Sequence, residues 1–294
     1  MATRFSNTLQ NSNSTDALER AWAQFIFDTF VTTGGWVQTA DTGQVTISAI
    51  AHATVANTYQ GYHIYKMADT LQATTPCFLR VEFGASAAAA NSPAFKITVG
   101  TGTDGAGNIT GVLSGPFIVT TALNTTTGCN SYGSADTNRC HLLLFCQGTT
   151  QLVFSIERTK NATTGADTNE GYLISYQDTT PGTLTAWVNA TFGAQPSAER
   201  WSFVLSNNNP STFGSNDGVG FPLHFKGYVQ PVALGVIVVN SGDFLSGAQP
   251  QVTVYGVAHQ YQIADGTSSQ ISLATGAGTS TNTAATKRIG IRYE

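Results

Sequence analysis

Charge is what this chain has least of. Only 10% of its 294 residues are Asp, Glu, Lys or Arg, against roughly 25% in an ordinary soluble domain. Seventeen acidic residues stand against 13 basic ones, a net charge of −4. Such a balance attracts neither nucleic acid nor an anionic membrane, so neither is an expected partner. Long apolar runs are missing as well. No stretch approaches the roughly 20 continuous apolar residues of a membrane span. The opening MATRFSNTLQNSNSTD has no apolar core of the kind a secretory signal carries. The expectation is a chain made in a cytoplasm without a signal peptide.

Cysteine is scarce, with four in all: Cys77, Cys129, Cys140 and Cys146. Without secretion their expected state is the reduced thiol. Cys129 and Cys140 bracket a polar stretch, and are the pair expected to bridge if the chain meets an oxidising medium.

Catalytic signatures are absent too. There is no GxSxG elbow, HExxH, CxxC or phosphate loop. The five histidines, His52, His63, His141, His224 and His259, have no second His or acid at ligand spacing. Cys140 and Cys146 share a strand face that His141 does not, so one metal site cannot use all three. Asp104 and Asn108 in TGTDGAGN look superficially like a calcium loop. One carboxylate is too little charge for a tight site, and a glycine turn is expected. Glu82, Glu157 and Glu170 are the only candidates for a glycosidase pair. Arg80 lies two residues from Glu82 and Arg158 is next to Glu157, so local ion pairing accounts for two of them. No catalytic residue, cofactor or metal is expected.

In place of charge stand Thr, Ser, Asn, Gln, Gly and Ala, a composition that suits strands and turns. Residues 1–13 read as a polar, flexible arm. One helix follows. Asp16 and Glu19 form its N-terminal cap pair, and Gly34-Gly35 end it. Leu18, Trp22, Phe25, Ile26 and Phe30 recur at helical spacing. This stripe packs on the chain's own sheet or against a neighbouring subunit, and the five residues are the candidate interface.

From Trp36 onward the pattern is strand and turn. Tyr62–Lys66, Cys77–Phe83 and Ala94–Val99 alternate with period two. Gln44–Ile50 alternates as well. GTGTDGAGNITG reads as an exposed loop, followed by a short strand over Pro116–Thr121. Residues 122–139 read as a polar loop. His141–Cys146, Gln151–Arg158 and Gly171–Gln177 form two successive hairpins. Further strands are expected at 184–188, 201–205, 223–228, 233–239, 252–259 and 288–293. No helical pattern separates these strands, which excludes βαβ units. The expected fold is all-β: an antiparallel β-sandwich, jelly-roll-like, with one N-terminal amphipathic helix. Residues 1–35 form arm and helix. Residues 36–294 form the sandwich, with two sub-lobes dividing near 180–220.

Aromatic residues fall in or beside the expected loops: Tyr59, Tyr62, Tyr132, Tyr172, Tyr176, Phe213 and Phe244. Aromatic faces fill subunit interfaces and also stack on sugars. Tyr132, Tyr172, Tyr176 and Phe213 are the glycan-binding candidates.

The order of segments resembles structural proteins of tailed-bacteriophage virions, from the neck, tail, baseplate or fibre. The resemblance lies in a polar arm and an aromatic helix ending in GGW, then YKMADTLQATTPCFLRVEFGAS, FKITVGTGTDGAGNITG, LVFSIERTKNATTGADTNEGYLISY, VTVYGVAHQYQIAD and a terminal IGIRYE. It covers most of the chain in style and order, and carries no signature motif or catalytic residue. It implies a non-enzymatic virion component that assembles with copies of itself and with other virion proteins. A carbohydrate- or receptor-binding module that adheres to a host-surface glycan is the alternative, and a polysaccharide hydrolase the remote one.

Overall fold

A computed structural model describes residues 3–10, 15–73, 76–85, 93–120, 128–137, 139–146, 150–160, 167–178, 186–192, 201–202, 221–225, 232–240, 248–254, 257–263, 270–271 and 287–293. The chain begins with strand β1 (Thr3–Gln10) and helix α1 (Asp16–Phe27), which continues as a π-helical turn over Asp28–Thr33. Next come β2 (Val37–Gln38), β3 (Tyr59–Lys66), β4 (Phe78–Ala85), β5 (Pro93–Thr103) and β6 (Ile109–Thr120). Then follow β7 (Gly128–Asp136), β8 (Arg139–Cys146), β9 (Thr150–Lys160), β10 (Asp167–Asp178) and β11 (Ala186–Phe192). The last seven are β12 (Trp201–Ser202), β13 (Phe221–Phe225), β14 (Val232–Asn240), β15 (Gln251–Val254), β16 (Val257–Ile263), β17 (Gln270–Ile271) and β18 (Lys287–Arg292).

The protein is mostly β, with one N-terminal helix. Its strands form three antiparallel sheets among the described residues. One has five strands in the order β2-β3-β4-β5-β6, and one has six in the order β1-β7-β8-β9-β10-β11. The third runs β12-β13-β14-β18-β16-β15, with β17 beside β18. Consecutive strands are neighbours through most of the first two sheets, as in a meander.

Helix α1 starts where the Thr15 hydroxyl accepts the Leu18 N–H at 3.3 Å, the bond an N-cap residue supplies. The cap is therefore Thr15, one residue before the Asp16 expected from the sequence. The helical segment ends at Gly34 and Gly35, and Gly35 takes φ +72°, a left-handed value that costs glycine nothing.

The helix completes the main core. Trp22, Phe25, Ile26 and Phe30 are buried with Leu79, Val81, Phe83, Phe95, Ile97 and Val99 of β4 and β5. Trp22 meets Phe95 edge-on at 4.3 Å, and Phe30 stacks on Tyr65 at 5.3 Å. A Cβ built on Gly133 of β7 would run into Thr29 of the π-helical turn, so this backbone comes close to the helix. Ala135 of β7 joins the same core. The Trp36 indole donates to the Asp136 carbonyl at 3.0 Å. At Ser134 the Oγ donates to the Arg292 carbonyl of β18 at 2.5 Å.

Five expectations are corrected. Residues 122–139 are not a loop throughout: Gly128–Asp136 is strand β7, paired with β1 and β8. Residues 1–13 are not an arm throughout: Thr3–Gln10 pairs with Gly128–Ala135 of β7 in unbroken register. Gln44–Ile50 is not a strand, and Ile47–Ala49 makes a 3-10 turn. Here one backbone bond, from the Val45 N–H to the Tyr62 carbonyl at 3.2 Å, is joined by bonds from a side chain. The Gln44 Oε1 accepts the Ile64 N–H at 2.8 Å, and its Nε2 donates to the Thr39 carbonyl at 2.7 Å. The loop expected after Val99 shrinks to residues 104–108, because β5 and β6 extend into it as a hairpin. The glycines there serve close packing: a Cβ on Gly100 would collide with Ile109. The strand expected over 252–259 is two, β15 and β16, paired as a hairpin. Phe213 and Phe244 lie outside the described residues.

Candidate functional site

The richest chemistry among the described residues lies on the outer face of the five-stranded sheet. Alternation along β4 puts Leu79, Val81 and Phe83 inward, leaving Arg80 and Glu82 half-buried on the other face. Register then adds the neighbours. Tyr62 stands opposite Glu82, Glu82 opposite Lys96, and Lys96 opposite Ile118.

Glu82 Oε1 pairs with both cations, Arg80 Nη2 at 3.3 Å and Lys96 Nζ at 3.2 Å. Each cation also lies over an aromatic ring. Arg80 is 4.3 Å from the Tyr62 centroid, and Lys96 Nζ is 3.8 Å from that of Tyr59. Cation–π contacts of this kind add about 0.5–1 kcal/mol at exposed sites. Burial, and then the Glu82 charge, push the Tyr59 phenol up to about 12. The Tyr59 hydroxyl and Arg80 Nε have no hydrogen-bond acceptor among the described residues.

The apolar part of this face lies at the sheet edge. β6 is the terminal strand, and its sequence ITGVLSGPFIVT contains no charged residue. Val112 is 57% exposed and Ile118 38%. Ile118 pairs with Lys96 and so shares the face of the ionic ladder, while Val112 pairs with Gly100 beyond two register shifts.

One end of the sheet is closed by a polar loop cluster. The Tyr62 hydroxyl donates to the Thr42 carbonyl at 2.5 Å. A Cβ on Gly107, where φ is +98°, would strike that hydroxyl. Asp104 accepts from the Ala106 and Asn108 N–H groups at 2.8 and 2.9 Å and from Asn108 Nδ2 at 2.6 Å. These bonds, the Asn108 side chain foremost, hold its carboxyl below the usual range. A carboxylate engaged by three N–H donors closes its own turn, as the sequence predicted. No group of three or more His, Cys, Asp or Glu is placed to hold a metal among the described residues.

The remaining sequence candidates fall elsewhere. Trp22, Phe25, Ile26 and Phe30 are buried in the chain's own core, and Leu18 packs half-buried beside it. The stripe thus packs on the chain's own sheet. Tyr132, Tyr172 and Tyr176 lie within strands β7 and β10, not in loops. Register runs from Tyr132 through Leu143 and Val153 to Tyr176. Three strand spacings separate the two tyrosines, about 14 Å at about 4.8 Å each. Tyr132 shares its strand face with Ser134, which is buried against β18. Glu157 and Arg158 are neighbours in β9, where successive positions alternate between faces. The register partners of Glu157 are Arg139 and Tyr172. Glu170 lies at an irregularity in the β9–β10 register, between Asp167 and Gly171.

Sequence reading missed Val112 and Ile118. The signal was present: a strand without charge on either face. Val112 was hidden because the glycines and threonines just before it read as loop, while Ile118 fell in the expected short strand and was not singled out. Among the described residues no helix is long and apolar enough to cross a membrane. No protein family, curated protein or solved structure matches this chain, so the functional reading rests on its own residues.

Proposed function

We propose that this chain is a non-enzymatic structural subunit that assembles with copies of itself, of the kind that builds tailed-bacteriophage virions. The observation that carries the reading is the uncharged edge strand β6, with Val112 and Ile118 exposed. Free edge strands are templates for pairing, and monomeric proteins commonly blunt them with charge. Here charge is withheld from the edge. The ionic ladder supports a structural role for Glu82, since one carboxylate oxygen serves two cations. The sheets stack as a sandwich in this proposal, with meander order favouring a plain sandwich over a jelly roll. Localisation in the virion, and contact with other virion proteins, follow from the resemblance alone and form part of the proposal.

Light scattering on the purified chain tests it. The expected result is a discrete multiple of 30.9 kDa. Val112→Lys with Ile118→Lys puts charge on the edge and is expected to give a folded monomer. An oligomer of unchanged mass in the double variant would remove β6 from the interface. A monomeric wild type would end the assembly reading for the isolated chain.

A second reading, glycan binding, has its own observation. Tyr176 stands opposite Trp187, Ile174 opposite Asn189 and Tyr172 opposite Thr191 across β10 and the edge strand β11. Aromatic and amide residues on one face suit sugar stacking. Glycan affinity lost in Trp187→Ala would favour it.

A further inference from the structure

A hairpin's turn sets the register of every pair behind it. Strands β7 and β8 place Asp136 opposite Arg139, and the register runs back without a shift to Cys129 opposite Cys146. Directly opposite residues of antiparallel strands share a face, with Cα atoms about 4.5–5.5 Å apart. A disulfide needs a Cα separation of about 4.4–6.8 Å. Backbone placement alone therefore brings these two cysteines within bridging range.

The same register excludes the pair expected from the sequence. Cys140 stands opposite Ala135, six residues along the strand from Cys129. At about 3.3 Å per residue that is about 20 Å, far outside the reach of a disulfide. Cys77 is buried in the main core, among α1, β4 and β5.

We propose that Cys129 and Cys146 are an oxidation site that forms a cross-strand disulfide. The oxidant is a low-molecular-weight disulfide of the glutathione class. One cysteine thiolate attacks it, forms a mixed disulfide and expels one small thiol. The second thiolate attacks the mixed disulfide at the protein sulfur and expels the other. Two protein thiols are oxidised, one small disulfide is reduced to two thiols, and the cysteine protons pass to the leaving thiolates. Opposite strand residues have Cβ atoms about 4.5–5.5 Å apart, while a disulfide needs about 3.5–4.5 Å. The required shift is about 1 Å at the end of the hairpin away from its turn. The bond would fasten β7 to β8 where β7 also receives β1, since Leu9 stands opposite Cys129. This site lies within one chain and is independent of the assembly reading.

The full-length folded protein is incubated with oxidised glutathione, its free thiols are alkylated, and the digest is mapped by mass spectrometry. The expected product is a peptide pair joined through Cys129 and Cys146, reversed by dithiothreitol, with Cys140 and Cys77 unlinked. Oxidation should raise the urea midpoint of the wild type and of Cys140→Ser, but not of Cys146→Ser, because the cross-link restricts the unfolded chain. A Cys129–Cys140 link, persistent alkylation of both Cys129 and Cys146, or a glutathione adduct that never closes would each overturn the proposal.

Discussion

His63 shows how one buried polar residue is settled by its neighbours. It is 2% exposed. Its Nε2 lies 2.7 Å from the Val45 carbonyl, which only accepts, so Nε2 carries the proton. Nδ1 therefore accepts from the Tyr65 hydroxyl, also at 2.7 Å. Burial lowers the pKa from 6.5, and the Val45 hydrogen bond opposes this without cancelling it. The unfolded chain thus takes up a proton near pH 6.5, while the folded chain does so only at lower pH. The neutral ring's contribution is present above pH 6.5 and is lost as the pH falls through the folded value. His63→Gln keeps an amide donor and acceptor but does not titrate. Urea midpoints of both proteins at pH 7.5 and pH 5 should show the larger acid loss in the wild type. Equal losses would mean that His63 does not set the slope.

At the scale of elements, the helix packs inside the chain and the first strand pairs with β7. Helix α1 is an internal brace. Trp22→Ala removes a side chain that is 3% exposed and edge-on to Phe95. The expected cost is about 3–5 kcal/mol, the usual figure for an emptied aromatic site. Denaturant unfolding reads it, and the molecular mass of the folded fraction should stay that of the wild type. A stable variant of altered mass would return the stripe to the interface. Strand β1 pairs along the edge of β7. Each ladder hydrogen bond contributes about 0.5–1.5 kcal/mol net, while ordering each residue costs about 1–2 kcal/mol. Backbone pairing of Thr3–Gln10 is then near neutral, and its main effect is to cover the edge of β7. Deleting residues 1–10 should therefore produce heterogeneous association in sedimentation rather than outright unfolding. A truncated chain that sediments as the intact one does would show that β7 needs no cover.

At the scale of the molecule, a bond between two sheets joins distant parts of the chain. The Ser134 hydroxyl reaches the Arg292 carbonyl between strands separated by 158 positions in sequence. Removing it in Ser134→Ala should cost about 1 kcal/mol. Amide exchange should rise first at Ile289–Arg292 and remain slow in β4 and β5. Uniform exchange across all sheets would mean that they open as one unit.

Much of this architecture was legible in local pattern. Period two in Cys77–Phe83 and Ala94–Val99 identified β4 and β5, because alternation is a property of the strand itself. The aromatic stripe with its terminal glycines identified α1 for the same reason. The near absence of charge pointed to β structure and turns. Contacts distant in sequence were another matter. That Thr3–Gln10 is a strand depends on β7, more than a hundred residues away. That Gln44–Ile50 is not a strand depends on one glutamine side chain meeting Ile64. Cys129 faces Cys146, not Cys140, because a register is set between strands and a polar spacing in sequence does not encode it. Sequence alone determined which segments alternate and, to within a residue at its cap, where the helix lies. Tertiary structure decided which faces are covered, which edge is left apolar and which cysteines meet, since each depends on a partner that local propensity does not specify.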